Sequence, residues 1–180
     1  MGAYTSIDDP SAYFQTAIYT GNGGTQSITN DGNSNLQPDW IWTKSRTDSS
    51  FNAWTDSTRG TSKRIYSNST SGEESHSDRV TAFNSDGSSI LNTNNYNYVG
   101  WQWKANGGTT ATNTTGSLNS VVQVNTTAGF SIVTWTGAGG VRTVGHGLGV
   151  APDVIIVKNR STSTQWGVWI NSLADTDNNF

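Results

Sequence analysis

Few side chains in this sequence are placed to do chemistry. Its only glutamates, Glu73 and Glu74, are neighbours. Hydrolysis of a glycoside needs two carboxyl groups about 5–9 Å apart across the scissile bond. Adjacent residues on a strand point to opposite faces, so this pair does not supply that geometry. No aspartate pair sits in a more suggestive setting, and the chain reads as one that is not an enzyme. The histidines are far apart in sequence, His76 in EESHSD and His146 in GHGLG. Without a nearby second histidine, His146 is expected to cap a backbone group in its glycine loop, against the sharper reading of a metal ligand or general base. Calcium requires hard oxygen donors in a set order. NSDG (84–87), TNDGNSN (29–35) and DTDNN (175–179) supply oxygens, none with the full spacing. Asp86 and Asp31 are the candidate ligands, and no other cofactor is expected. Asx-rich turns produce the same strings.

Two side-chain groups suit recognition better than catalysis. Arg59, Lys63 and Arg64, in STRGTSKR, form a basic cluster able to hold an acidic sugar or a partner carboxylate. The competing reading is a solvated strand end. The eight tryptophans could stack on sugars. Period-2 neighbours share a face, however, and in a thin sandwich that face is the core. Trp40 with Trp42, and Trp101 with Trp103, are therefore expected inside. Trp54 and Trp166, near loop-to-strand boundaries, are the surface candidates for a glycan or partner contact.

The elements that must position these residues are strands. DWIWTK (39–44), YVGWQWK (98–104), SVVQVN (120–125), FSIVTWTG (130–137), DVIIVK (153–158) and WGVWI (166–170) are β-branched and aromatic runs. GNGG, NDGNSN, NSDGSS, ANGGTT and GAGG separate them, and their Gly and Asn tolerate turn conformations. No stretch carries helical periodicity. Short strands at this spacing predict an all-β fold, an antiparallel β-sandwich or jelly roll. Hydrophobic residues make up only 32% of the chain, but the aromatics let a small core form.

Charge narrows the partners. The net charge is −3, with no basic stripe, so no nucleic acid is expected. No apolar run approaches the ~20 residues of a membrane span, so no membrane insertion is expected. There is no cysteine, which removes disulfide frameworks and thiolate metal sites.

The sequence repeats itself. YTGNGGTQSI (19–28) returns as WTGAGGVRTV (135–144), and PDWIWTKSR (38–46) as PDVIIVKNR (152–160). With a further one-residue shift, NAWTDS (52–57) matches GVWINS (167–172), which places Trp169 opposite Trp54. This predicts a lead-in (1–12), a first β-sandwich repeat (13–104), a Gly/Thr/Asn-rich linker (105–128) and a second, partial repeat (129–180). The second copy stops before any equivalent of RGTSKRIYSNST or YVGWQWK. Its strands are then left with apolar faces and unpaired edges.

The set YTGNGGTQSI, PDWIWTKSR, WTDSTRG, YVGWQWKANGG, NTTAGFSIVTWTG and VGHGLGVAPDVIIVKNRS resembles a repeated domain of structural, tail-fibre-like proteins of marine and cyanobacterial bacteriophages. The resemblance implies a β-rich, lectin-like virion module without catalysis. The expectation is a fibre, appendage or decoration subunit, located in the virion, that forms a homo-oligomer and joins other virion proteins. The alternative is a carbohydrate-binding adhesin that touches a host surface glycan.

Overall fold

The computed structural model describes residues 7–50, 52–76 and 79–173. The strands, in chain order, begin with β1 (Phe14–Thr20), β2 (Thr25–Ile28), β3 (Trp40–Ser45), β4 (Ala53–Asp56) and β5 (Lys63–Tyr66). They continue with β6 (Glu74–Ser75), β7 (Val80–Asn84), β8 (Gly87–Leu91) and β9 (Asn97–Trp103). The last five are β10 (Ala111–Asn113), β11 (Ser120–Asn125), β12 (Phe130–Trp135), β13 (Val154–Val157) and β14 (Gly167–Ile170). Two single 3-10 turns, Pro10–Ala12 and Asn171–Leu173, are the helical elements among the described residues. The fold is all-β, and every ladder between these strands is antiparallel.

The large sheet has the order β1-β9-β3-β4-β5-β6. Strand β9 is inserted between β1 and β3, so the first and last strands of the segment close the sheet against each other. A second sheet, β2-β8-β7, covers one face. The two meet at Ile41, Val80 and Ile90, with Tyr19 and Phe83 packed alongside. This is a β-sandwich contained within residues 14–103, as the strand and turn spacing predicts.

Five of the eight tryptophans occupy the other face of the large sheet. Ile41 points to the core, so its neighbours Trp40 and Trp42 point away from it. They align with Trp103, Trp101 and Trp54 across the ladders. The expectation that they form the sandwich interior is corrected here. Alternation shows which residues share a face but not which face the second sheet covers. The interior face instead carries Gln15, Gln102, Ser45 and Thr55, all buried. Gln15 donates to the Ser11 and Ser34 carbonyls and accepts from the Gly32 amide, and Gln102 donates to Asn30. Hydrogen-bonded amides can be buried without the desolvation penalty of unpaired ones. The indoles pack on one another: Trp40–Trp103 at 4.2 Å, Trp40–Trp54 at 4.6 Å, Trp42–Trp101 at 5.2 Å. Such pairs each add roughly 0.5–1.5 kcal/mol beyond the area they bury.

Segment 105–128, expected as a linker, is structured. It supplies β10 and β11 to a third sheet, β10-β11-β12, whose Phe130 stacks on Trp40 at 5.9 Å.

The last sheet is the hairpin β13-β14. Its register is that of β3-β4. Trp40 pairs with Asp56 and Thr43 with Ala53; Val154 pairs with Ile170 and Val157 with Gly167. Each partner lies 114 residues on (40 to 154, 56 to 170). The bond that closes the hairpin also recurs, Ser57 N–H to Asp39 O at 2.8 Å and Asn171 N–H to Asp153 O at 2.8 Å. The extra one-residue shift predicted from sequence is therefore wrong. Val168, not Trp169, occupies the place of Trp54, because the ladder fixes equivalence and a shared tryptophan does not.

Candidate functional site

Pro38-Asp39 enters β3, and Asp39 organises the end of the sheet. It is 0% exposed. Its Oδ1 accepts from Ser57 Oγ at 2.6 Å and from the Gly108 amide at 2.7 Å. Its Oδ2 accepts from the Ala105 amide at 2.7 Å and the Gly107 amide at 2.8 Å. The Asp39 amide itself donates to Trp103 O at 2.8 Å. Gly107 and Gly108 have φ of 60° and 81°, the left-handed region that glycine enters without a steric cost. Their amides can thus both converge on one carboxylate, an anion nest made by the turn that follows β9. The first residues of the expected linker are therefore a lock on the sheet.

In the second hairpin Asp153 keeps the same local contact, accepting from Asn171 Nδ2 at 3.2 Å. Asp153 is exposed, and among the described residues β14 is the only strand paired with β13. The strand's four aliphatics are all open: Val154 at 53%, Ile155 at 42%, Ile156 at 43% and Val157 at 36% exposure. Among the described residues, an unpaired aliphatic edge thus lies beside an exposed carboxylate.

Elsewhere the two hairpins are tied together. Trp166 Nε1 donates to Tyr66 O and Ser69 O, both at 3.0 Å, and its ring meets Trp54 edge-on at 4.7 Å. Trp54, expected at the surface, is buried. The two surface candidates thus meet each other in an internal contact. Arg59 is also internal, its side chain 4% exposed. It pairs with Asp56, with Glu73 at 3.1 Å, and donates to Trp54 O at 3.1 Å. Glu73 in turn accepts a bidentate pair from Arg160, at 2.8 and 2.9 Å. Burial pushes the Glu73 carboxyl up, but the hydrogen bonds and charges of Arg160 and Arg59 outweigh it and hold it below the ordinary glutamate value. Two backbone bonds run beside this node, Glu73 N–H to Arg160 O and Thr164 N–H to Thr70 O. The chains approach so closely that a Cβ on Gly72 would lie 2.9 Å from Arg160 O.

The expected basic cluster does not converge. Lys63 Nζ donates to Ser75 Oγ at 2.7 Å. Arg64, its neighbour on β5, faces the opposite way, into the mouth of the sandwich. There a cleft of about 230 Å³ is walled by Tyr19, Tyr98, Tyr66, Arg64, Arg79 and the hydroxyls of Thr43 and Thr55. Tyr19 and Tyr98 stack at 5.2 Å. Burial, then the neighbouring Tyr98, pushes the Tyr19 hydroxyl well above the ordinary phenol range, so it stays protonated. Sequence reasoning missed this cleft, because its walls come from seven strands with no shared motif.

The remaining candidates have local roles. The His146 ring accepts from the Leu148 amide at 3.2 Å, capping a backbone group. Asp86 accepts from the Leu36 amide at 3.1 Å, and Asp31 is exposed. Among the described residues no three His, Cys, Asp or Glu side chains are grouped to hold a metal ion. Asp175 and Asp177 lie outside the described residues. Among the described residues no helix is long and apolar enough to cross a membrane.

No curated protein and no solved structure matches the chain. One family model, described as "Domain of unknown function (DUF7483)", matches residues 9–180 and so spans the sandwich, the third sheet and both hairpins. The chain belongs to this family.

Proposed function

We propose that the chain is a structural module of a bacteriophage virion, a fibre, appendage or decoration subunit built from a tandem β-repeat, and that it works by assembly, not catalysis. The observation that carries this reading is the β13-β14 hairpin. It repeats β3-β4 pair for pair, yet among the described residues its outer edge is unpaired and its four aliphatic side chains are open. Such an edge is a liability for an isolated protein and a joint for an assembling one. The internal use of Trp54 and Trp166 supports the same reading, since their ring contact and the Arg160–Glu73 ion pair hold the two hairpins together. Immunogold electron microscopy of particles, with antibody against this chain, tests it. Regularly spaced label along a fibre or appendage is expected; particles without label would contradict it.

A second reading rests on the cleft. Three tyrosines, two arginines and several hydroxyls around one opening suit an acidic saccharide, and so a lectin-like adhesin that contacts the host surface. On a glycan array this reading expects retention of acidic glycans without turnover, weakened by Arg64→Ala.

A further inference from the structure

We infer that the β13 edge, with Asp153 at its head, is a receptor for one kind of strand: an extended segment of the β9 type, aromatic-x-aromatic, followed by an Ala-x-Gly-Gly turn. The inference rests on the proposed assembly role and names the partner of that joint.

The first hairpin supplies the template. Strand β3 is paired on both edges, by β4 and by β9, with Trp40 opposite Trp103 and Trp42 opposite Trp101. Moved by the 114 residues that relate the hairpins, these pairs set the incoming aromatics beside Val154 and Ile156. The incoming residues matching Gln102 and Gly100 then lie beside Ile155 and Val157. Four exposed aliphatics would thus be covered by one strand.

The carboxylate gives the direction and the end point. Three of the four groups that donate to Asp39 are the amides of Ala105, Gly107 and Gly108, directly after β9. The fourth, Ser57, belongs to the hairpin itself and has its counterpart in Asn171. Asp153 therefore keeps the hairpin's own contact and exposes the carboxylate that, in Asp39, takes a Gly-Gly turn. A strand that pairs along β13 in the β9 direction brings such a turn onto it. Parallel or reversed addition would not.

The donor is not β9 of a second folded copy. That strand is held on both edges, by β1 and β3, and its turn is already on Asp39. The occupant is a β9-type segment that is not already held on both edges by a folded sheet.

The probe is a synthetic peptide of residues 97–108, titrated into the full chain by calorimetry and followed by amide hydrogen exchange. We expect one-to-one binding that slows exchange at residues 153–157. Asp153→Asn should weaken it about tenfold or more, because charge-assisted acceptors are lost while the fold is kept. Proline at both turn glycines of the peptide, Gly107 and Gly108, should weaken it similarly. Fusing the peptide to the chain's C-terminus through a Gly/Ser linker, which raises its effective concentration, should give the same protection and a higher melting temperature. No binding with no protection in the fusion, binding indifferent to Asp153→Asn, or a dimer that protects 153–157 without peptide would each overturn the inference. Any of these beside labelled virions would remove the inference and leave the assembly role standing.

Discussion

Asp39 and Asp153 each follow a proline at the entry of matching strands, but only Asp39 is enclosed. Replacing a buried acceptor of four hydrogen bonds by an amide turns one oxygen into a donor facing other donors. Asp39→Asn should cost roughly 3 kcal/mol in chemical denaturation. Asp153→Asn, at the exposed equivalent, should leave stability essentially unchanged. Equal effects would mean that the two sites are not counterparts. Glu73 provides a pH test. Its folded pKa lies below the 4.5 of the free side chain. It therefore contributes stability that is complete above pH 4.5 and is lost as pH falls through the lower folded value. Protection factors at residues 160–166, taken against the intrinsic exchange rate at each pH, should fall over that acid window in the wild type. In Glu73→Gln they should be low already at neutral pH. The Pro-Asp motif was visible in the sequence at both sites. The role of its carboxylate was not, because three of Asp39's donors lie 66–69 residues further along the chain.

Strands and turns were legible because period-2 alternation and Gly/Asn clusters are local signals. NSDG does make the β7-β8 turn, and a Cβ on Gly87 would strike Ile28 O. Facing was not legible. Both faces of the large sheet are amphipathic, and a distant strand pair decides which is covered. The register between the hairpins misled because Trp54 and Trp169 look equivalent, while Trp54's ring partner in the second hairpin is Trp166. That contact makes a prediction for the hairpin as an element. Trp166→Phe keeps the ring against Trp54 but loses the Nε1–H shared by two carbonyls, and should cost about 1 kcal/mol. Trp166→Ala also loses the packing, and should cost roughly 2–3 kcal/mol. In both variants exchange should quicken in β13-β14 while the β2-β8-β7 sheet keeps its protection. Uniform loss across the molecule would show that the hairpin is not a separable element.

At the scale of the whole molecule, the closed sandwich and the open hairpin differ in what they still require. The sandwich has every strand of its large sheet in place and its organising carboxylate enclosed. The hairpin is anchored to it through Trp166, Arg160 and Thr164 but presents an edge like that which β9 fills beside β3. Local stability should follow this division, with amides facing outward from β13 opening far more easily than those of β3. Residue-resolved hydrogen exchange on the dilute chain measures this directly. The account predicts that the amides of Ile41–Lys44 are protected from both sides, while the amides of 154–157 that do not face β14 exchange at nearly the rate of open chain. Protection of 154–157 equal to that of 41–44, in a chain shown by light scattering to be monomeric, would contradict it.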